Sequence, residues 1–378
     1  MSLRVFSLLV LMGLSVTACA GTPPLAVIPP GSGDGQVERI LVVTTREQDA
    51  DPLLLFNEAR AAEPHYAQLD VWVPHDRAFG QIRVAGRRAD PDRHFGLSAY
   101  EDLQSSERFN TALARELATL PEGQRNIWLF VHGYNTSFSN GIFLQAQMMA
   151  DFGNATFSDH RHSVAVQFAW PSAGTIPGYL YDRDSVQYSR SALADTLIEL
   201  HNQGADDITV LAHSMGTLLT MEAIRQLDQS GRQDVIAHIA PLILAAPDID
   251  VNVFQQQLRD LEHRPDPMVV ALSREDRALL LSDMIRGGHA RVGNGGDIEA
   301  LNAEGMVVLD LTNVRDDRDP VNHTVFASSP TLLSLVESGA LDTEALRDVS
   351  PTADGGLDRL FDFAAGIIYL PARTLTGD

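Results

Sequence analysis

The chain has 378 residues, of which 44% are hydrophobic and 21% are charged. This composition suits a globular protein with a well-buried core and excludes a globally disordered chain. Its 50 acidic and 28 basic residues give a formal charge of -22. Because a field of this sign repels polyanions, we expect no nucleic-acid partner.

The N-terminus has the pattern of a bacterial signal peptide. Arg4 precedes an apolar stretch from Val5 to Val16, which is too short to span a membrane comfortably but suits a signal-peptide core. The next residues, Val16-Thr17-Ala18-Cys19, resemble the lipobox, in which the peptide is cut before a cysteine that carries the lipid. Cys19 is the only cysteine, so it has no partner for an intramolecular disulfide. We expect residues 1–18 to be the signal peptide and Cys19 to carry the lipid.

The residues after Cys19 indicate where the anchored protein resides. Ala20 follows the cysteine in place of aspartate, which by resemblance to bacterial lipoproteins favours the outer membrane. We therefore expect a cell-envelope protein at the outer membrane that faces the periplasm. Residues 19–36 are rich in Gly, Pro and Ser, which is typical of a flexible tether. A single domain is then expected over residues 37–378.

Strand patterns begin near Val37, and a regular alternation of strands and helices begins near residue 105. "RILVVTT" and "LDVWVP" predict short strands, whereas Phe79 to Tyr100 predicts no defined element. Ser105 opens an amphipathic helix, and "NIWLFV" predicts a buried strand that ends at His132-Gly133. Helical patterns and further apolar runs follow: a helix over Gly141 to Asp151, the strand "SVAVQFAW", a helix with Leu193, Leu197 and Leu200 on its core face, and the strands "ITVLA", "APLILAA", "PMVVAL" and "MVVLDL". This spacing predicts an α/β fold with a mostly parallel central sheet covered by helices on both faces.

Polar residues of three chemical types follow these strands. In open parallel sheets the reactive site lies beyond the carboxyl ends of the strands. Ser214 follows "ITVLA", two carboxylates follow the next two strands, and His323 follows "MVVLDL". The order Ser, Asp, His is the chain order of the α/β-hydrolase fold.

The pentapeptide Ala212-His213-Ser214-Met215-Gly216 matches the nucleophile elbow, with alanine in the first glycine position. Small residues are needed at both ends because the strand-to-helix turn is tight. The competing interpretation of Ser214 is a helix cap, since serine hydroxyls accept hydrogen bonds from the first turn of a helix.

Seven segments carry a family resemblance. They are "ILVVTTR" at 40–46, "LFVHGYNTSF" at 129–138, "FAWPSAG" at 168–174, "LAHSMG" at 211–216, "LAAPDID" at 244–250, "SREDRALLLS" at 273–282 and "HTVF" at 323–326. In this order they resemble the DUF900 group of bacterial, esterase- or lipase-like α/β-hydrolases. The resemblance implies the α/β-hydrolase fold and a hydrolase activity, and it leaves the substrate open.

The expected chemistry is that of a serine hydrolase. Ser214 is the expected nucleophile and His323 the expected general base, with His263, His289 and His238 as competitors for the second role. The backbone amides of Met215 and Tyr134 are the expected oxyanion hole.

Two aspartates compete for the role of triad acid. Asp276 follows the penultimate strand of the set, where most enzymes of this resemblance place the acid, and Arg274 and Arg277 could keep it ionised. Asp248 follows the preceding strand, a position that some lipases use. We expect Asp276 to be the acid and Asp248 to brace the floor of the site.

The sequence thus predicts a serine hydrolase that cleaves small-molecule or lipid carboxylic esters through an acyl-enzyme and is bound to the membrane by its lipid. The alternatives are an acyltransferase, thioesterase or amidase with the same triad, or a non-catalytic envelope scaffold. No cofactor or metal is expected. "DIDVN" at 248–252 begins like an EF-hand loop but has Val253 in place of the glycine and Arg259 in place of the glutamate. The sequence also has no His-Glu-x-x-His zinc motif and no phosphate-binding glycine loop followed by lysine.

Overall fold

A ten-stranded sheet organises the part of the chain that the computed structural model describes. That part comprises residues 22–154, 163–279, 290–295, 304–313 and 325–328, with residues 301, 323 and 368–369. The strands are β1 (Gly35–Gln48), β2 (Phe56–Pro74), β3 (Gly96–Asp102), β4 (Asn126–Val131), β5 (Ser163–Ala169), β6 (Asp207–His213), β7 (Ile239–Ala245), β8 (Met268–Leu272), β9 (Val307–Asp310) and β10 (Ile368–Tyr369).

The order of the strands is β10-β9-β8-β7-β6-β4-β5-β1-β2-β3. The seven strands from β9 to β1 in this order pair in parallel. The strands at the two ends, β10 on one side and β2 and β3 on the other, pair antiparallel. The expected α/β-hydrolase type of sheet, mostly parallel and covered by helices, is therefore confirmed.

Helices connect the parallel strands. They are α1 (Ser106–Leu117), α2 (Phe138–Asn154), α3 (Tyr179–Asn202), α4 (Met215–Gln229), α5 (Gln233–Ala237), α6 (Val251–Asp260) and α7 (Val325–Ser328). Ser105 caps α1 as the sequence predicts, because its hydroxyl accepts a hydrogen bond from the amide of Arg108. Asp250 caps α6 by accepting from the amides of Asn252 and Val253, so the EF-hand-like segment is a helix start.

Side-chain alternation along the strands builds a core on each face of the sheet. In β4, Ile127, Leu129 and Val131 pack with α1, α3 and α4 in one cluster. Trp128 and Phe130, the residues between them, join a second cluster with Met148 of α2 and Phe326 of α7. Both faces of β4 are apolar, which is typical of a central strand covered by helices on both sides.

The antiparallel strands are longer than the sequence indicates. β1 has 14 residues and β2 has 19, whereas short strands were expected, and β3 begins at Gly96 inside the segment without a predicted element. Their outer halves are only partly buried, so the apolar periodicity that marks a strand is weak there.

The proline-rich stretch before β1 also packs against the sheet. Leu25 and Ile28 are buried, and Val27 forms a bridge with Leu97 of β3. The amide of Leu25 donates to the carbonyl of Leu53 at 2.7 Å. The expectation of a flexible tether over residues 19–36 therefore does not hold from Leu25 to Ile28.

None of the described helices is both long and apolar enough to cross a bilayer.

Candidate active site

Ser214 occupies a strained turn between β6 and α4. Its backbone has φ 51° and ψ -122°, in the left-handed half of conformational space that residues with a Cβ rarely adopt. Its amide donates to the carbonyl of Ala245 at 2.9 Å, and its hydroxyl makes no capping hydrogen bond with α4. The geometry is that of a nucleophile elbow and differs from that of a helix cap, which has β-region dihedrals and a capping side chain.

Glycines are needed where the chain passes closest to this turn. A Cβ on Gly216 would lie 2.7 Å from the carbonyl oxygen of Val131 and would also overlap the carbonyl of His132. A Cβ on Gly133 would lie 2.8 Å from both Cβ of Ser214 and Nδ1 of His213. The loop after β4 therefore packs directly on the elbow, and only glycine fits at these two positions.

The imidazole of His323 is hydrogen-bonded to Asp276. Its Nδ1 lies 2.7 Å from Oδ2 of Asp276, whose side chain is fully buried, while His323 is 13% exposed. The other carboxylate oxygen of Asp276 accepts from the amide of Leu279 at 3.0 Å. Asp276 is thus fixed by the backbone at one oxygen and holds the histidine with the other.

His213 connects this pair to the elbow. It precedes Ser214, its ring centroid lies 4.6 Å from that of His323, and its Nε2 lies 3.2 Å from the carbonyl oxygen of His323. Burial lowers the pKa of His213 well below its usual value, which keeps the ring neutral. His213 therefore contacts His323, which binds Asp276, and directly precedes Ser214 in the chain.

Asp248 has other partners. Its Oδ2 accepts from the hydroxyl of Tyr179 at 3.0 Å, and its Oδ1 lies 3.4 Å from Nε of the buried Arg291. Its amide approaches the carbonyl oxygen of Ser214 at 3.3 Å. The backbone of Asp248 thus contacts the elbow, while its side chain contacts Tyr179 and Arg291.

Two of the other candidates for the general base, His238 and His263, lie away from the carboxyl edge of the sheet where Ser214 lies. His238 immediately precedes β7, and its Nδ1 lies 2.8 Å from the carbonyl oxygen of Asp234. His263 precedes β8 and lies 3.0 Å from Asp228. Both are at amino ends of strands, whereas Ser214 is at a carboxyl end. His289 lies outside the described residues.

The two residues expected to form the oxyanion hole flank the elbow. Met215 follows Ser214 as the first residue of α4, and Tyr134 follows Gly133 in the loop that packs on Ser214. The hydroxyl of Tyr134 donates to the carbonyl of Ile176, and its ring centroid lies 5.3 Å from that of Tyr179. The Tyr134 side chain is therefore tied to the segment that leads into α3.

Comparison with known proteins identifies the family. The alpha/beta hydrolases of unknown function, DUF900, match residues 105–339, which is more than half of the chain. The chain belongs to this family. It is also 28% identical to the uncharacterised protein alr1448 of Nostoc sp. (strain PCC 7120), in a match that covers 28% of this chain and 33% of that protein. The chain thus spans about a third of the length of this curated relative.

Among solved structures, this α/β hydrolase has a partial likeness to the phospholipase PlaB from Legionella pneumophila. The identity is 16%, the TM-score is 0.22, and the match covers 53% of this chain and 42% of that one.

A buried polar network holds the loops of this α/β hydrolase together. Arg46, at the end of the apolar run "ILVVTT", is buried and donates to the backbone carbonyls of Asn57, Thr136 and Ser172. The hydroxyl of Ser172 donates to Asp182 at 2.6 Å. Neither Arg46 nor Asp182 belongs to the site residues predicted from the sequence. A single arginine after four apolar residues and two threonines was the available signal.

Arg274 does not have the predicted partner. Its Nη2 lies 3.6 Å from Oδ2 of Asp310, and its side chain is 58% exposed. We expected Arg274 to interact with Asp276, but its ion pair in the structure is with Asp310.

Among the described residues, no group of three or more His, Cys, Asp or Glu side chains could hold a metal ion.

His132 links the loop after β4 to the neighbouring strand β5. Its ring stacks on Trp170 with a centroid distance of 5.0 Å and an interplanar angle of 16°. The indole N–H of Trp170 donates to the carbonyl of His132 at 2.7 Å. Burial lowers the pKa of His132 to about 3. His132 is thus neutral and packs as part of the loop.

The depressed pKa of His132 predicts a loss of stability in acid. Between the ordinary histidine pKa and about 3, the unfolded chain binds a proton that the folded protein does not, so stability falls as the pH falls. We expect His132→Phe, which keeps a ring on Trp170, to remove about 2 kcal/mol of the destabilisation between pH 7 and pH 5. Urea unfolding of wild type and variant at both pH values measures this difference. Parallel pH profiles would contradict the assignment of a neutral His132.

Proposed function

We propose that this protein is a lipid-anchored serine hydrolase that cleaves carboxylic esters at the bacterial cell envelope. The observation that carries the proposal is the hydrogen bond of 2.7 Å between His323 and the buried Asp276 beside the strained elbow of Ser214. Family membership supports a hydrolase in general. The serine nucleophile, the triad and the ester substrate are our proposal.

His323 would act as the general base. A serine hydroxyl is a weak nucleophile until a positioned imidazole takes its proton. Because Nδ1 of His323 is engaged by Asp276, Nε2 is the ring nitrogen that would take the proton of Ser214. Asp276 would orient the ring and stabilise the imidazolium that forms as Oγ attacks the ester carbonyl.

The developing oxyanion needs hydrogen-bond donors. The backbone amides of Met215 and Tyr134 are our candidates, because these residues directly follow Ser214 and the glycine that packs on it. Collapse of the tetrahedral intermediate breaks the bond between the acyl carbon and the alcohol oxygen, and His323 donates the proton to the leaving alcohol. Water, deprotonated by His323, then attacks the acyl-enzyme, releases the acid and restores Ser214.

Membrane attachment through Cys19 belongs to the same proposal. It is supported by the apolar segment before Val16-Thr17-Ala18-Cys19 and by the absence of any other cysteine. Bacterial lipoproteins carry several acyl chains, which hold a protein on a membrane firmly. We place the protein at the outer membrane, facing the periplasm.

Ser214→Ala tests the nucleophile. We expect turnover of p-nitrophenyl esters to fall by roughly 10⁴- to 10⁶-fold with no change in thermal unfolding, because triad residues act as a unit. Ser230→Ala, at the other end of α4, is the matched control and should keep wild-type turnover. A folded Ser214→Ala variant with wild-type turnover would show that another residue is the nucleophile.

Comparison of Asp276→Asn with Asp248→Asn tests the acid. We expect Asp276→Asn to lower kcat by roughly 10⁴-fold, because the amide stabilises the wrong imidazole tautomer. Asp248→Asn should have a milder effect on kcat, since Asp248 contacts Tyr179 and Arg291. Circular dichroism and thermal unfolding check that both variants are folded. The reverse order of kcat in two folded variants would assign the role to Asp248.

Cys19→Ser tests the anchor. We expect this variant to lose incorporation of radioactive palmitate and to leave its normal membrane fraction, because serine offers no thiol for the lipid. Ser32→Ala, outside the lipobox, is the control and should behave as wild type. Unchanged fractionation together with unchanged palmitate labelling of Cys19→Ser would reject the anchor.

A further inference from the structure

Two large aliphatic side chains are exposed next to the candidate active site. Ile176 is 54% exposed and Leu180 is 74% exposed, at the turn that leads into α3. We call these two residues the apolar rim. Water-exposed aliphatic side chains grouped beside a binding site are a common mark of an interaction surface.

Two tyrosines connect the apolar rim to the elbow. The hydroxyl of Tyr134, in the loop that packs on Ser214, donates to the backbone carbonyl of Ile176. Tyr179, directly before Leu180, donates to Asp248, whose amide approaches the carbonyl oxygen of Ser214. The rim is therefore at the carboxyl edge of the sheet, where the nucleophile is.

The described chain begins at this same edge. Thr22 and Ala173 line one cavity of about 40 Å³, and the carbonyl of Pro23 accepts a hydrogen bond of 2.6 Å from Ser139. Ala173 packs against Gly178, which lies between Ile176 and Leu180. A Cβ on Gly178 would lie only 2.5 Å from the Cβ of Ala173.

The packing of this segment limits how far the lipid can be from the site. Cys19 precedes Thr22 by three residues, which span at most about 11 Å when fully extended. A flexible tether of residues 19–36 would have allowed the domain to turn in any direction. Because residues from Leu25 onward are fixed to the sheet, a lipid on Cys19 would bring the membrane to the catalytic edge.

We infer that Ile176 and Leu180 contact the lipid bilayer that holds the anchor, so that the active site takes its ester substrate from that bilayer. The inference rests on the proposed function for its substrate class, a membrane lipid with an ester bond. The formal charge of -22 opposes contact with an anionic surface, so the contact depends on burial of the apolar rim. Leu180 is the most exposed large apolar side chain among the described residues.

Tryptophan quenching by brominated lipid tests the contact directly. The three native tryptophans are Trp72, Trp128 and Trp170. All three are buried, so brominated lipid should quench their emission little. The lipidated full chain is reconstituted in phosphatidylcholine vesicles with brominated acyl chains. We expect the added emission of Leu180→Trp to be quenched. Val37→Trp, at the amino end of β1 and 40% exposed, is the control and should not be quenched.

Hydrolysis of an ester lipid in the same vesicles gives a second measurement. We expect Leu180→Asp to lower the rate by about tenfold or more, because the loss of one buried leucine weakens surface contact. Val37→Asp should keep the wild-type rate.

Two results would overturn the inference. The first is equally weak quenching at positions 180 and 37. The second is a dimer in sedimentation velocity that Leu180→Asp dissociates, which would show that a second copy covers the rim. Quenching needs no turnover, so a wild-type protein that hydrolyses no ester would refute the proposed function and leave the quenching result valid.

Discussion

The backbone of Ser214 is the constraint on which the rest of the site depends. Its positive φ costs about 1–3 kcal/mol and persists only where surrounding structure determines it. Here β7 supplies the carbonyl of Ala245, and the hydroxyl of Thr217 donates to the carbonyl of Ser214 at 2.6 Å. The glycines at 133 and 216 allow β4 and its loop to approach this turn from the other side. The positions of β4 and β7 on either side of β6 thus fix the backbone conformation of Ser214.

Burial gives the histidines around the elbow different properties. His132 and His213 are buried, and burial lowers the pKa of both, to about 3 in His132. A charged imidazole at 213 would oppose the charging of His323, whose ring centroid is only 4.6 Å away. His323 is the partly exposed member of the three and the one that contacts a carboxylate. The arrangement is therefore suited to a single imidazole that gains and loses a proton.

Much of the fold was predictable because its signals are local. The apolar run of β4, the Ser105 cap and the leucine spacing of α3 each depend on a few neighbouring residues, and the structure confirms them. β2 and β3 were predicted poorly because their partly exposed halves lack a clear period. The packing of Leu25 and Ile28 depends on contacts with β3 and with Leu53, which no local pattern encodes.

In the candidate site, too, local features were predictable from the sequence and long-range contacts were not. The pentapeptide around Ser214 predicts a strand-to-helix turn from local sequence, and the structure has that turn. The pairing of His323 with Asp276 is a long-range property, since the two residues are 47 positions apart in the sequence. Arg274 illustrates the difficulty: it is two residues from Asp276, yet its ion pair is with Asp310.

The central claim is that Ser214 is an activated nucleophile. The most direct measurement is the reaction of the intact protein with a fluorophosphonate, followed by mass spectrometry of the peptides. The account predicts one covalent adduct, on Ser214, and a strong decrease of labelling in Asp276→Asn because His323 is no longer held in the right tautomer. A folded protein that remains unlabelled, or an adduct on a different residue, would contradict it.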